Sequence, residues 1–232
     1  MVNAVLIALG VLATACSWTG AAGVRMLPAD RAAEVVYVAL GDSTVEGVGA
    51  TTAGNNYVGR LDARLRDRYP RARTANLGVA GATSYDVLDG QLERAVALKP
   101  HLVTLSIGPN DITAKVPVKI YAENLEAILG RLAADTQAVV VVNLLPDLAV
   151  TPRFRNRDSA PLVGRLSAEF NDVVARLAKR HGALVVDLYE ASRREVPGHP
   201  ELLAADGYHP SDLGYARWAE LMWEAVRTRL GS

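Results

Sequence analysis

Val35-Val36-Tyr37-Val38-Ala39-Leu40-Gly41-Asp42-Ser43-Thr44 is the run whose reading decides the fold. Its first six residues are all apolar, three valines and a tyrosine among them, and no polar side chain alternates with them. A sheet covered on both faces calls for such an unbroken strand, because neither face meets water. Gly41 then lets the chain turn sharply, and Asp42-Ser43 suits the start of a helix. At such a start the Ser43 N–H has no intrahelical partner, and its hydroxyl faces the cleft at the strand end.

The same alternation recurs downstream. Strands are predicted at Val35–Leu40, Ala72–Leu77, His101–Ile107, Ala138–Leu144 and Ala183–Leu188. Arg73 and Asn76 interrupt the second, which is assigned from its position between two helical stretches. Helices are predicted at Asn56–Tyr69, Ser84–Ala97, Val118–Ala134, Leu162–His181 and Ser211–Leu230. Arg60, Arg64 and Arg68 recur every fourth position with Leu61 and Leu65 offset onto another face, which is helical spacing. The last helix should be capped by Ser211 and bury Leu213, Trp218, Leu221 and Met222. Alternating β and α units imply an α/β fold: a three-layer α/β/α sandwich on a five-stranded parallel sheet. A flavodoxin-like strand order fits, with the site at the carboxyl ends of the strands.

Composition sets the outer bounds. The 232 residues carry 25 Lys+Arg and 25 Asp+Glu, a balance that argues against nucleic-acid binding and against an acidic disordered tail. Half are hydrophobic and 22% charged, enough to bury one sizeable core. The lone cysteine, Cys16, excludes an internal disulfide framework and a thiolate metal cluster. No charge precedes Arg25, and the apolar run Ala4 to Ala15 ends in small residues. It resembles a secretory signal, although a basic leader is missing. Ala13-Thr14-Ala15 before Cys16 also resembles a bacterial lipobox, with Ala13 where leucine is usual; a lipid on Cys16 would attach the chain to a membrane. Export signal ranks first, lipid anchor second and retained anchor third. Residues 1–30 are thus read as a signal or anchor segment of a secreted or envelope protein, and 31–232 as the working domain.

Four polar clusters fall where a site is expected. Each has an ordinary structural explanation taken singly. Gly41-Asp42-Ser43-Thr44 follows the first strand and reads alone as a capped turn. Gly78-Val79-Ala80-Gly81 follows the second, where glycines let backbone N–H groups approach a ligand. Gly108-Pro109-Asn110-Asp111 follows the third; an amide there can donate to an oxyanion, although an isolated Asn more often makes a turn. Asp206-Gly207-Tyr208-His209-Pro210 precedes the last helix, where an Asp three residues before a His can orient its ring. Of the other histidines, His101 starts a strand, His181 ends a helix, and His199 has Val196 where the acid would stand. Together the clusters make a complete acyl-transfer set.

In these four blocks the chain resembles the SGNH hydrolases, also called the GDSL esterase/lipase family, from Val35 to the C-terminal helix. Thr44 replaces the usual leucine after the serine. The nearest likeness is to lysophospholipase-like esterases and thioesterases of bacteria. The resemblance implies Ser43 as nucleophile, His209 as base and Asp206 as its orienting acid. It implies an oxyanion hole from the N–H groups of Ser43 and Gly81 and the amide of Asn110, with no metal or cofactor. The implied reaction is hydrolysis of a small-molecule acyl ester; a short-to-medium chain is read not from the four blocks but from Leu144, Leu145, Pro146 and Phe154, near the expected acyl side. Lysophospholipid or acyl thioester hydrolysis on the same site is the alternative, and a catalytically idle envelope-anchored binding protein is the rival of another class. An α/β-hydrolase is disfavoured because Gly-x-Ser-x-Gly is missing at the serine, and a dinucleotide-binding domain because Gly-x-Gly-x-x-Gly is missing after the first strand. Arg153, Arg155 and Arg157 alternate in a longer loop and read as solvated charges.

Overall fold

The computed structural model of the protein describes residues 24–231. β1 (Val36–Gly41) leads into the one-turn helix α1 (Ser43–Glu46) and then α2 (Tyr57–Arg68). β2 (Arg73–Asn76) is followed by α3 (Ser84–Asp86), a π-helical turn (Val87–Gln91) and α4 (Leu92–Ala97). β3 (Leu102–Ser106), α5 (Pro109–Thr113) and α6 (Val118–Asp135) come next. β4 (Val139–Asn143), α7 (Ala160–His181), β5 (Leu184–Val186), α8 (Leu188–Glu195) and α9 (Asp212–Arg227) complete the order.

All strands are parallel, in the order β2-β1-β3-β4-β5. The expected flavodoxin-like three-layer architecture is present. Successive side chains of a strand point to opposite faces, so the apolar runs feed two cores. Val36, Val38 and Leu40 pack with Leu125, Leu129 and Phe170 from α6 and α7 on one face. Val35, Tyr37 and Ala39 pack with Leu61, Leu65, Trp218 and Met222 from α2 and α9 on the other. β1 lies between β2 and β3, so its carboxyl end, where Ser43 begins α1, sits at the point where strand order reverses.

Several local expectations change. The stretch Ser84–Ala97 is not one regular helix but is interrupted by the π turn. The fifth strand stops at Val186, because Asp187 caps α8 by accepting from the Glu190 N–H, and that helix was not expected. Leu213 is 58% exposed rather than buried: it lies in the first turn of α9, whose packed residues are Tyr215, Trp218, Ala219 and Met222. Residues 25–28, read as part of the leading segment, lie against the domain. Arg25 donates to the Ala133 and Ala138 carbonyls, and the buried Leu27 donates its N–H to Arg229. Cys16 and the lipobox-like residues lie outside the described residues.

Candidate active site

Gly41 ends β1 at φ +145°, a conformation that L side chains rarely adopt. A Cβ there would come 1.9 Å from the Ser106 carbonyl oxygen. Buried Gln91 grips the same residue from both sides, accepting from the Gly41 N–H at 2.9 Å and donating to its carbonyl at 2.8 Å. The π turn places this glutamine, a recurrent use of such turns at functional sites. Asp42 caps α1, accepting from the Thr44 N–H (2.9 Å) and Oγ1–H (2.8 Å). Burial pushes its carboxyl up to about 6 despite those bonds. Ser43 thus stands at the first helical position, where its N–H has no intrahelical carbonyl.

His209 arrives from the other end of the chain. Its Nε2 lies 2.9 Å from Ser43 Oγ and its Nδ1 2.5 Å from Asp206 Oδ2. Asp206 Oδ1 also accepts from the N–H groups of Tyr208 and His209, at 2.9 and 3.0 Å. Burial opposes the Asp206 charge, but the bonds from the His209 ring and these two N–H groups outweigh it and hold the carboxyl below its usual range. With Nδ1–H donating to Asp206, the lone pair of Nε2 points at the serine.

The other two blocks meet beside this row. Asn110 Nδ2 donates to the Ala82 carbonyl at 2.9 Å, and the buried Asp111 accepts three bonds from Ser84. The loop after β2 is tied in turn to the serine: Val79 N–H donates to Gly41 O at 3.1 Å, and Asn76 Nδ2 to Val45 O at 2.7 Å. Gly81 adopts φ +84°, and its N–H has no acceptor among the described residues. All five residues expected at the site come from segments joined by these contacts. Gln91, Ser84 and Thr44 were not anticipated as supports. Gln91 lies among Asp86, Asp89, Glu93 and Arg94, so nothing in its sequence surroundings singled it out.

The remaining histidines also have partners. His101 Nδ1 accepts from the Val36 N–H (3.1 Å), His181 meets Glu126 (3.0 Å), and His199 meets Glu201 (3.0 Å). An orienting acid therefore does not distinguish His209, contrary to expectation for His199. What distinguishes it is the serine on its second nitrogen.

The sequence profile of the GDSL-like lipase/acylhydrolase family matches residues 39–217. The chain belongs to this family. Among relatives of this GDSL-family chain, an acetylxylan esterase of Geobacillus stearothermophilus is 28% identical over 204 residues, covering 82% of this chain and 91% of that one. A GDSL-like esterase of Mycobacterium tuberculosis is 32% identical over 202 residues, 85% of this chain but 63% of the relative's length. The crystal structure of TesA superposes with a TM-score of 0.68 at 25% identity, covering 84% of this chain and 99% of that one. The GDSL-family protein is accordingly a carboxylic ester hydrolase. Among its described residues no helix is long and apolar enough to cross a membrane.

Two depressions border the site. A cavity of about 110 Å³ reaches Ser43 and His209 and runs between α8 and α9, with a mainly apolar lining that includes Leu145, Leu188, Ala191 and Trp218. An open groove lies on the outer side of the Asp206 turn.

Proposed function

We propose that the protein is a serine carboxylester hydrolase that cleaves short-to-medium-chain acyl esters through an acyl-enzyme. The observation that carries the reading is the continuous row Ser43 Oγ, His209 Nε2, His209 Nδ1, Asp206 Oδ2, with contacts of 2.9 and 2.5 Å. Ser43 Oγ attacks the ester carbonyl carbon while its proton passes to His209 Nε2, and Asp206 stabilises the imidazolium. The oxyanion is received by the N–H groups of Ser43 and Gly81 and the second amide hydrogen of Asn110. Collapse breaks the ester bond, and the alcohol leaves with the His209 proton. Water then adds to the acyl-enzyme, yields a proton to His209, and releases the acid as Ser43 recovers its hydrogen.

The apolar cavity beside Ser43 supports the preference for acyl length. Its volume, about 110 Å³, is near that of engineered cavities that hold one benzene ring, so it accommodates an acyl group of about four to six carbons. Release of nitrophenol from nitrophenyl butyrate by wild type and by Ser43→Ala tests the reading. A fall to background in the variant is expected; equal rates would overturn it. The uncharged stretch before Arg25 supports delivery to the cell envelope or beyond, and acylation lost on Cys16→Ser is the corresponding test of the lipid.

A further inference from the structure

Four buried polar side-chain atoms lack a hydrogen-bond partner among the described residues: Tyr57 Oη, Asn143 Oδ1, Tyr208 Oη and Trp218 Nε1. Native interiors leave few such atoms unmet. Three of the four residues, Asn143, Tyr208 and Trp218, line the cavity that reaches Ser43 and His209. The fourth, Tyr57, stacks on Trp218 with ring centres 5.3 Å apart. The unmet hydrogen-bonding capacity of the described residues is thus gathered around the cavity assigned above to the acyl group.

Asn143 ends β4, with its side chain on the face of Val139 and Val141, which α9 covers. Trp218 belongs to α9, so the two residues line the cavity from the sheet and from the helix above it. Both are more than nine-tenths buried, at 5% and 6% exposure. Asn143 Nδ2 donates to the Leu144 carbonyl at 3.1 Å, which orients the amide and leaves Oδ1 as a free acceptor. Trp218 Nε1–H can only donate. β1 pairs with β3 and β3 with β4, so the backbones of Gly41 and Asn143 are two strand spacings apart, about 10 Å. Ser43 follows Gly41 by two residues, so a short acyl chain on its Oγ reaches the asparagine's end of the cavity.

A carbonyl in the cavity would meet only the indole, and an ammonium only the carboxamide oxygen. A hydroxyl accepts from the first and donates to the second. We propose that the cavity binds an acyl group carrying a hydroxyl, held between Trp218 Nε1 and Asn143 Oδ1. The inference rests on the serine-esterase reading above and names its acyl class: hydroxyacyl esters. Asn143 and Trp218 are then specificity-determining residues that take no part in the bond-breaking steps.

The test compares nitrophenyl esters of butanoic acid and of both enantiomers of 2- and 3-hydroxybutanoic acid, using wild type, Ser43→Ala, Asn143→Leu and Trp218→Phe. Each kcat/KM is divided by the ester's rate of alkaline hydrolysis, which removes the inductive effect of the hydroxyl. Wild type should favour at least one hydroxyacyl ester about ten-fold over the butanoyl ester. Asn143→Leu, close in volume and unable to accept, should bring that ratio near unity, and Trp218→Phe should lower it about three-fold or more. Thermal melting reports whether each variant folds, and Trp218→Phe carries the test if Asn143→Leu does not. Equal corrected wild-type rates would show that water alone serves the pair and would overturn the subsite, as would an unchanged ratio in a folded variant. Ser43-dependent butanoyl hydrolysis would leave the esterase standing in either case. Absence of any Ser43-dependent hydrolysis would overturn both.

Discussion

Ser84 binds Asp111 three times: its N–H reaches both carboxylate oxygens, at 3.1 and 3.0 Å, and its Oγ–H donates to Oδ1 at 2.6 Å. Ser84 follows Gly81 by three residues, and Asp111 is next to Asn110. One buried clamp thereby holds together the two loops that carry the proposed oxyanion donors. Ser84→Ala leaves a buried carboxylate short of a donor and should cost about 1–3 kcal/mol in urea unfolding. Because the clamp acts through loop placement, kcat should fall more than KM rises. A variant with wild-type kcat would refute the positioning role.

Asn110 contributes one amide hydrogen to the Ala82 carbonyl and has a second to offer. Asn110→Ala should lower kcat about 100- to 1000-fold with little change in KM. Asp206→Asn should cost more, about 1000- to 10,000-fold, because the amide no longer fixes the His209 tautomer. Steady-state kinetics on one nitrophenyl ester decides both, and near-wild-type turnover in either would remove that residue from the mechanism.

Asp42 ties stability to pH. Its carboxyl titrates at about 6 when buried against 3.8 when free, so between about pH 4 and pH 6 the native state holds a proton that the unfolded chain has lost. This group's contribution to stability therefore falls as pH rises through that window, by about 3 kcal/mol in all. Asp42→Asn does not titrate. Its unfolding free energy should rise relative to that of wild type by about that amount from pH 4 to pH 7, the variant gaining in relative stability. A pH-independent difference in denaturant titrations would contradict the burial penalty.

Ala191 is a buried residue of α8 on the wall of the cavity that reaches Ser43. Ala191→Leu fills part of that space. It should reduce kcat/KM for a hexanoyl ester about ten-fold relative to an acetyl ester, at a stability cost of about 1–3 kcal/mol. An unchanged ratio in a chain-length profile would place the acyl group elsewhere.

The β1 run shows why much of this was legible. Its apolar residues serve two cores at once, and a continuous hydrophobic strand is the direct trace of a sheet covered on both faces. The catalytic blocks were legible for a related reason: each sits at a strand end or a helix start, where local turn chemistry dictates residue type. α8 escaped because Leu188–Glu195 follows a three-residue strand without a loop between, so strand and helix signals merge. Leu213 misled because hydrophobicity states that a residue can be buried, not which side of the helix meets the sheet.

Residue pattern alone settles the parallel sheet, its two covered faces, and the identities of Ser43, Gly81, Asn110, Asp206 and His209 as candidates. These depend on backbone period and on side-chain chemistry, which are local. Which histidine faces the serine and which glutamine grips Gly41 were decided by folding. Ser43 and His209 are 166 positions apart, and their 2.9 Å contact exists because β1 ends where the α9 cap returns. No local preference encodes a distance across that much chain; packing of the two helical layers on one twisted sheet sets it.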